Sequence, residues 1–196
     1  MLSQRLRSEM VFYATTDDYR DAERYERFAR DCKLDEKAFE IGLVVKALVL
    51  QIQKTWWNPV EILETASATG LTAVGVKATL ERAHIKHVYT LLDIEKSLLD
   101  YAKARGRGDV FVLGDFEDLP FASETFHIYI MMGAEGYRTN KETFYAEVKR
   151  VLRRGGYFIM PQIGPQPIVS NAEKDSVLKS GLEIIQADSY LIARKC

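Results

Sequence analysis

The sequence predicts an α/β fold: a doubly wound, mostly parallel seven-stranded sheet closed by a C-terminal antiparallel strand, with helices placed ahead of it. Three observations carry this. From residue 60 onward, short apolar runs alternate with stretches of helical periodicity. The run Val60 to Gly70 passes from apolar residues to a loop of small residues, and Leu71-Thr-Ala-Val74 then starts a helix. At the other end, two apolar runs flank Ala187-Asp188-Ser189, as in a hairpin.

Length sets the frame. A chain of 196 residues makes one domain, or one domain with an appendage. We place an N-terminal helical segment at 1–57 and the sheet domain at 58–196. With 47% hydrophobic and 28% charged residues the chain can build a core and stay in solution. A formal net charge of -1 gives no electrostatic case for nucleic acid or an acidic membrane as partner. Cys32 and Cys196 form neither a disulfide framework nor a metal-ligand spacing, so no metal is expected. The charged N-terminus carries no signal-peptide pattern, and a cytoplasmic location is expected. The longest apolar run, Ile41 to Leu50, is interrupted by Lys46 and is too short to span a bilayer.

In the N-terminal segment, Thr16 or Asp17 can cap a helix with Ala22, Tyr25, Phe28 and Ala29 on one face. A second helix starts near Asp35, with Leu34 and Phe39 placed for a hydrophobic staple. From Ile41 to Ile52 it is apolar almost all round, so it should be buried by the domain or by a partner chain. The segment is thus a packing appendage, a lid over a substrate pocket with Tyr13, Tyr19 and Tyr25 as contacts, or the surface of a homodimer.

The first strand ends at Glu64, and the loop Thr65, Ala66, Ser67, Ala68, Thr69, Gly70 follows. Small side chains let a ligand approach the backbone, and the helix beyond offers free N–H groups. Gly75 in that helix should allow close packing on the sheet. His84 and His87 are three apart, but no third ligand stands nearby. Val88 to Leu92 is the second strand and ends at Asp93, which could cap the next helix or accept hydrogen bonds from ribose hydroxyls. Asp109 to Gly114 forms the third strand. The segment Gly114-Asp-Phe-Glu-Asp-Leu-Pro-Phe121 reads on its own as a polar turn with a core phenylalanine.

Phe126 to Met132 is the fourth strand, with His127 expected as a hydrogen-bonded strand-edge residue. Gly133-Ala-Glu-Gly-Tyr137 follows as a loop. Asn140 caps a helix carrying Phe144, Val148, Val151 and Leu152 inward, with Arg153 and Arg154 at its negative end and Gly155 as its stop. The fifth strand is expected at Tyr157 to Met160. Pro161, Pro165 and Pro167 mark a loop, and a short helix from Asn171 to Lys179 precedes the hairpin.

Taken together, these segments resemble class I S-adenosylmethionine-dependent methyltransferases over roughly residues 60–194. The loop is similar to their acidic-x-Gly-x-Gly-x-Gly motif, with Ala66 and Ala68 in place of two glycines and Gly70 retained. Asp93-Ile-Glu-Lys-Ser-Leu-Leu-Asp-Tyr-Ala102 and Gly114-Asp-Phe-Glu-Asp-Leu-Pro-Phe121 match two further family patterns, as does Glu147 to Tyr157. The resemblance implies a Rossmann-like methyltransferase fold, S-adenosylmethionine as cofactor and a small-molecule substrate. It implies cofactor contacts at Glu64, Thr65, Ala66, Ser67, Gly70, Asp93, Ile94, Asp115, Phe116 and Met132. Of these, Asp93 would hold the ribose, Asp115 the adenine amino group, and Phe116 the adenine ring. No catalytic residue is assigned; Tyr137 and His127 are the candidates. The alternative is a non-catalytic scaffold of the same fold that binds a protein partner.

Overall fold

A computed structural model of the chain describes residues 21–52, 59–161 and 169–196. Seven strands form one sheet: β1 (Val60–Thr65), β2 (His87–Asp93), β3 (Val110–Leu113), β4 (Phe126–Met131), β5 (Leu152–Pro161), β6 (Leu182–Ala187) and β7 (Tyr190–Lys195). Their order is β3-β2-β1-β4-β5-β7-β6. The pairs from β3 through β5 are parallel, and β7 runs antiparallel to both β5 and β6. The expected doubly wound sheet with its reversed C-terminal strand is therefore present. Strand order reverses between β1 and β4, and the crevice outside their carboxyl ends is where such sheets bind ligands.

Seven helices accompany the sheet among the described residues: α1 (Ala22–Asp31), α2 (Leu34–Ile52), α3 (Leu71–Arg82), α4 (Lys96–Ala104), α5 (Lys141–Val151), α6 (Asn171–Lys179) and the single 3-10 turn Glu135–Tyr137. The cores differ on the two faces. One is built from α2, α3 and α4 through Ile41, Val45, Leu80, Leu99 and Ala102 against Ile62, Tyr89 and Leu91. The other is aromatic, with Phe144, Tyr145 and Val148 of α5 against Tyr129 and Phe158.

Several sequence expectations shift. Asp21, not Thr16 or Asp17, caps α1, its carboxylate accepting from Glu23 and Arg24 N–H; Thr16, Asp17, Tyr13 and Tyr19 lie outside the described residues. Leu34 is already in the first turn of α2 and Phe39 is exposed, so the staple does not form. The apolar helix is buried by the domain itself, since Ile41, Val45, Leu48 and Val49 join the first core. Gly75 packs on α2 rather than on the sheet: a Cβ there would lie 2.4 Å from the backbone carbon of Ala38. Gly42 faces it, and a Cβ there would lie 2.8 Å from the carbonyl oxygen of Gly75. Finally, α5 ends at Val151 and β5 begins at once at Leu152, not at Tyr157. Leu152 pairs with Phe126 and Tyr157 with Ile128, so a bulge absorbs Arg153 to Gly156. That bulge uses Gly155 at φ 77, where glycine was expected only as a helix stop. Pro161 closes β5, while Pro165 and Pro167 lie outside the described residues.

Candidate active site

The loop between β1 and α3 is the centre of the site. Ala66 (φ 49), Ala68 (φ 46) and Gly70 (φ 72) all adopt the left-handed region. An alanine there costs about 1–2 kcal/mol relative to its favoured conformations. The surroundings over-determine the path. Ser67 N–H donates to Leu92 O at 3.1 Å and Gly70 N–H to Ser67 O at 2.8 Å. Ala68 N–H donates to Asp93 Oδ2 at 2.7 Å. Loops held this way against their preference cluster at ligand sites.

The predicted residues separate into groups. Glu64, Ala66, Ser67, Gly70, Asp93, Ile94 and Met132 gather where β1, β2 and β4 end. Glu64 is almost fully buried and accepts from Tyr89 Oη at 2.9 Å. Burial pushes its carboxyl up to about 7; hydrogen bonds from Tyr89 and Thr72 pull the other way, and the Asp93 charge adds to the rise. Asp93 is 7% exposed, with Oδ1 accepting from Glu95 N–H at 2.9 Å and Oδ2 from Ala68. Burial raises its pKa, against the lowering by those amides. The Ile94 amide acts on the same carboxylate, which with four accepting positions in all is left with capacity for a further donor. Asp93 thus fastens the loop to the start of the following turn, a role beyond the two weighed from sequence. Ile94 next to it is 69% exposed, an apolar side chain beside the crevice. Met132 Sδ lies 3.9 Å from Thr72 Oγ1.

Thr65 is turned elsewhere: it is fully buried and its hydroxyl donates to Tyr129 Oη at 3.0 Å, within the aromatic core. Asp115 is exposed and accepts from Glu117 N–H at 2.8 Å in a tight turn. Phe116 is half-buried and meets Phe144 edge-on, with centroids 5.8 Å apart. His127 sits at the amino end of β4, about 15 Å of strand from the loops. Its Nδ1 accepts from Glu61 N–H at 3.0 Å, and burial first, then the Arg153 charge, lowers its pKa to about 4. It is a neutral ladder residue, which removes it as a catalytic candidate. Tyr137 is exposed on the 3-10 turn after β4. Arg138 anchors that turn through Glu135 O at 2.9 Å and through a buried pairing with Glu173.

Two buried side-chain oxygens lack a hydrogen-bond partner among the described residues, Ser67 Oγ and Glu135 Oε2. Both lie just beyond the ends of the adjacent strands β1 and β4. A buried polar atom without a partner costs about 1–3 kcal/mol unless something else bonds it. Sequence reading missed Glu135, Thr72 and Tyr89. Tyr89 pairs with Ile62, two residues before Glu64 on the same sheet face, and only the register shows this. No group of three His, Cys, Asp or Glu able to hold a metal occurs among the described residues. No described helix is long and apolar enough to cross a membrane.

This loop and strand order define a Rossmann-like methyltransferase fold. A family model described as a methyltransferase domain matches residues 63–160, half of the chain, and the chain belongs to that family. It is 35% identical over 117 residues to the phthiotriol/phenolphthiotriol dimycocerosates methyltransferase of Mycobacterium tuberculosis, covering 59% of this chain and 42% of that one. It is 32% identical over 106 residues to the chloroplastic 2-methyl-6-phytyl-1,4-hydroquinone methyltransferase 2 of Oryza sativa subsp. japonica, covering 53% of this chain and 29% of that one. The chain therefore spans less than half the length of these curated relatives. Among solved structures it is similar in fold to the CMeT domain of the citrinin polyketide synthase. The TM-score is 0.63 at 20% identity, over 75% of this chain and 50% of that one.

Proposed function

We propose that the chain is an S-adenosylmethionine-dependent methyltransferase acting on a small lipophilic acceptor. The observation that carries this is the loop 66–70. Two alanines stay in a backbone region that suits glycine, around a buried Ser67 hydroxyl with no partner among the described residues. The protein's own hydrogen bonds hold that strained path, and a ligand bonded at the loop would supply the partner that Ser67 Oγ lacks among the described residues.

The residues present fit the cofactor. Asp93 has accepting capacity beyond the backbone amides it already holds, which suits it to ribose hydroxyls. Ser67 Oγ and the amides at the start of α3 offer hydrogen bonds, and Ile94 and Phe116 supply apolar surface near Asp115 for the adenine. Glu64, poised near neutrality, ionises readily opposite a positive charge. The bound cofactor supplies a sulfonium-linked methyl group for attack by an acceptor N, O, C or S atom. The chain's part is positioning and exclusion of water. Glu135, with its unpartnered carboxylate oxygen, is suited to hold or take an acceptor proton, beside Tyr137. A small lipophilic acceptor is supported by the relatives named for phthiotriol dimycocerosates and for a phytyl hydroquinone.

Calorimetric titration with S-adenosylmethionine and S-adenosylhomocysteine tests the reading. Wild type should bind both, and Asp93→Ala should lose about 2–4 kcal/mol of affinity as two charge-assisted hydrogen bonds go. No binding by wild type would remove the assignment. Unchanged affinity in a folded Asp93→Ala would remove the ribose role alone.

A further inference from the structure

The helix α1 reaches the cofactor loop through one side chain. Glu26 is buried, and its Oε1 accepts from Thr69 Oγ1 at 2.6 Å. The same carboxylate pairs with Arg107, at 2.6 Å from Oε1 to one guanidinium nitrogen and 3.2 Å from Oε2 to the other. Arg107 closes the triangle by donating to Thr69 O at 2.9 Å. Three separate parts of the chain thus meet at Thr69: α1, the loop 66–70, and the turn between α4 and β3. One turn earlier on α1, Glu23 lies 3.6 Å from Arg105, on that same turn. Burial pushes the Glu26 carboxyl up, but Arg107 and Thr69 outweigh it and hold the carboxyl below its ordinary range. The group is an anion fitted to its partners.

Thr69 stands between the two left-handed residues Ala68 and Gly70. Its side chain and its carbonyl are both held by this network, and its other neighbour Ala68 is held by Asp93. The loop is therefore clamped from both sides. Asp93 belongs to the sheet, while Glu26 arrives from a helix that precedes the sheet domain.

We propose that Glu26 is a positioning residue which couples docking of α1 to cofactor binding. This rests on the cofactor reading above. With Glu26 in place the loop is held in its binding form before the cofactor arrives. Without it Thr69 is released and part of the affinity is spent on ordering the loop. Linkage makes the coupling reciprocal, so a bound cofactor must tighten α1.

The test uses the full chain and S-adenosylhomocysteine. Hydrogen exchange of wild type, with and without the ligand, should show slower exchange of the α1 amides when ligand is bound. Glu26→Ala should weaken binding tenfold or more in calorimetry, which is about 1.4 kcal/mol. Glu26→Gln can still accept from Thr69 but loses the charge pairing, and it should fall between the two. Should Glu26→Ala fail to fold, the exchange measurement and Glu26→Gln decide. Wild type that binds without protecting α1, or folded Glu26 variants that bind within twofold of wild type, would overturn the coupling and leave the cofactor reading standing. A wild type that binds nothing would remove both.

Discussion

Gly70→Ala probes most directly why one glycine of the loop remains. A Cβ at that position would lie 2.8 Å from Leu91 Cδ1, 3.3 Å from Arg107 Cβ and 3.4 Å from Ala102 Cβ. Leu91 and Ala102 are fully buried in the first core, so neither can step aside freely. The left-handed backbone costs alanine about 1–2 kcal/mol. Overpacking a filled site costs about 1–3 kcal/mol. The stiffer unfolded chain returns roughly 0.4–1 kcal/mol. The net loss is about 1–4.6 kcal/mol, a fall in Tm of roughly 2–18 °C for a chain of this size. Ala68→Gly is the comparator. It relieves about 1–2 kcal/mol of strain, but chain entropy and the loss of a buried methyl worth roughly 0.8 kcal/mol offset it. Its stability should therefore stay within about 1 kcal/mol of wild type. Urea and thermal melts of both variants give the answer. A Gly70→Ala protein as stable as wild type would show that space at residue 70 is not what retains the glycine.

Three further outcomes are expected. Because Ala66 and Ala68 hold the left-handed geometry with alanine in place, Ala66→Gly with Ala68→Gly should leave S-adenosylmethionine affinity equal or slightly weaker; tightening of tenfold, about 1.4 kcal/mol, would favour the scaffold reading instead. Between pH 4.5 and 6.5 the contributions of Glu64 and His127 to stability run in opposite directions. Glu64 has a folded pKa raised to about 7, so its contribution is largest below pH 4.5 and is lost as pH rises through 7. His127, lowered to about 4, contributes fully above pH 6.5 and less as pH falls toward 4. Glu64→Gln should uncover the His127 slope as a loss of about 2 kcal/mol between pH 6.5 and 4.5, and a flat profile in that variant would contradict the assignment. A chain starting at Asn58 loses Ile41, Val45, Leu48 and Val49 from the first core and should not fold cooperatively; a soluble truncation with a sharp melt would disprove this.

The sheet was legible because its strands are apolar runs ended by Glu64, Asp93 and Gly114, and because parallel strands joined by helices admit few topologies. The cap at Asn140 and the hairpin turn at Ala187 to Ser189 are local features, and local chemistry specified them. What stayed hidden depends on register or on distant partners. The bulge in β5 could not be read because Leu152 looks equally well placed at the end of a helix. Pairing of Glu64 with Tyr89, and of Glu26 with Thr69 and Arg107, joins positions 25, 43 and 81 residues apart. Nothing in the spacing of those residues signals the contact. The edge-on contact of Phe116 with Phe144 likewise joins positions that no spacing in the sequence links.

The crossing of α2 and α3 at Gly42 and Gly75 has a mechanical meaning. At Gly75 the α3 backbone rests directly on the backbone of Ala38 and Phe39, and the Thr79 side chain fills the space beside Gly42, so little is left there to absorb an error. Helix α3 is a rod gripped there, and its amino end, five residues back at Gly70, carries the loop. That lever arm is about 7.5 Å long. A methyl group inserted at residue 75 would push the rod off its seat, and the loop would move with it by a comparable distance. Displacements of about 1 Å at a reacting centre can cost about a hundredfold in rate. Placement of the loop is therefore set as much by this helix contact on the far side of α3 as by anything that touches a ligand.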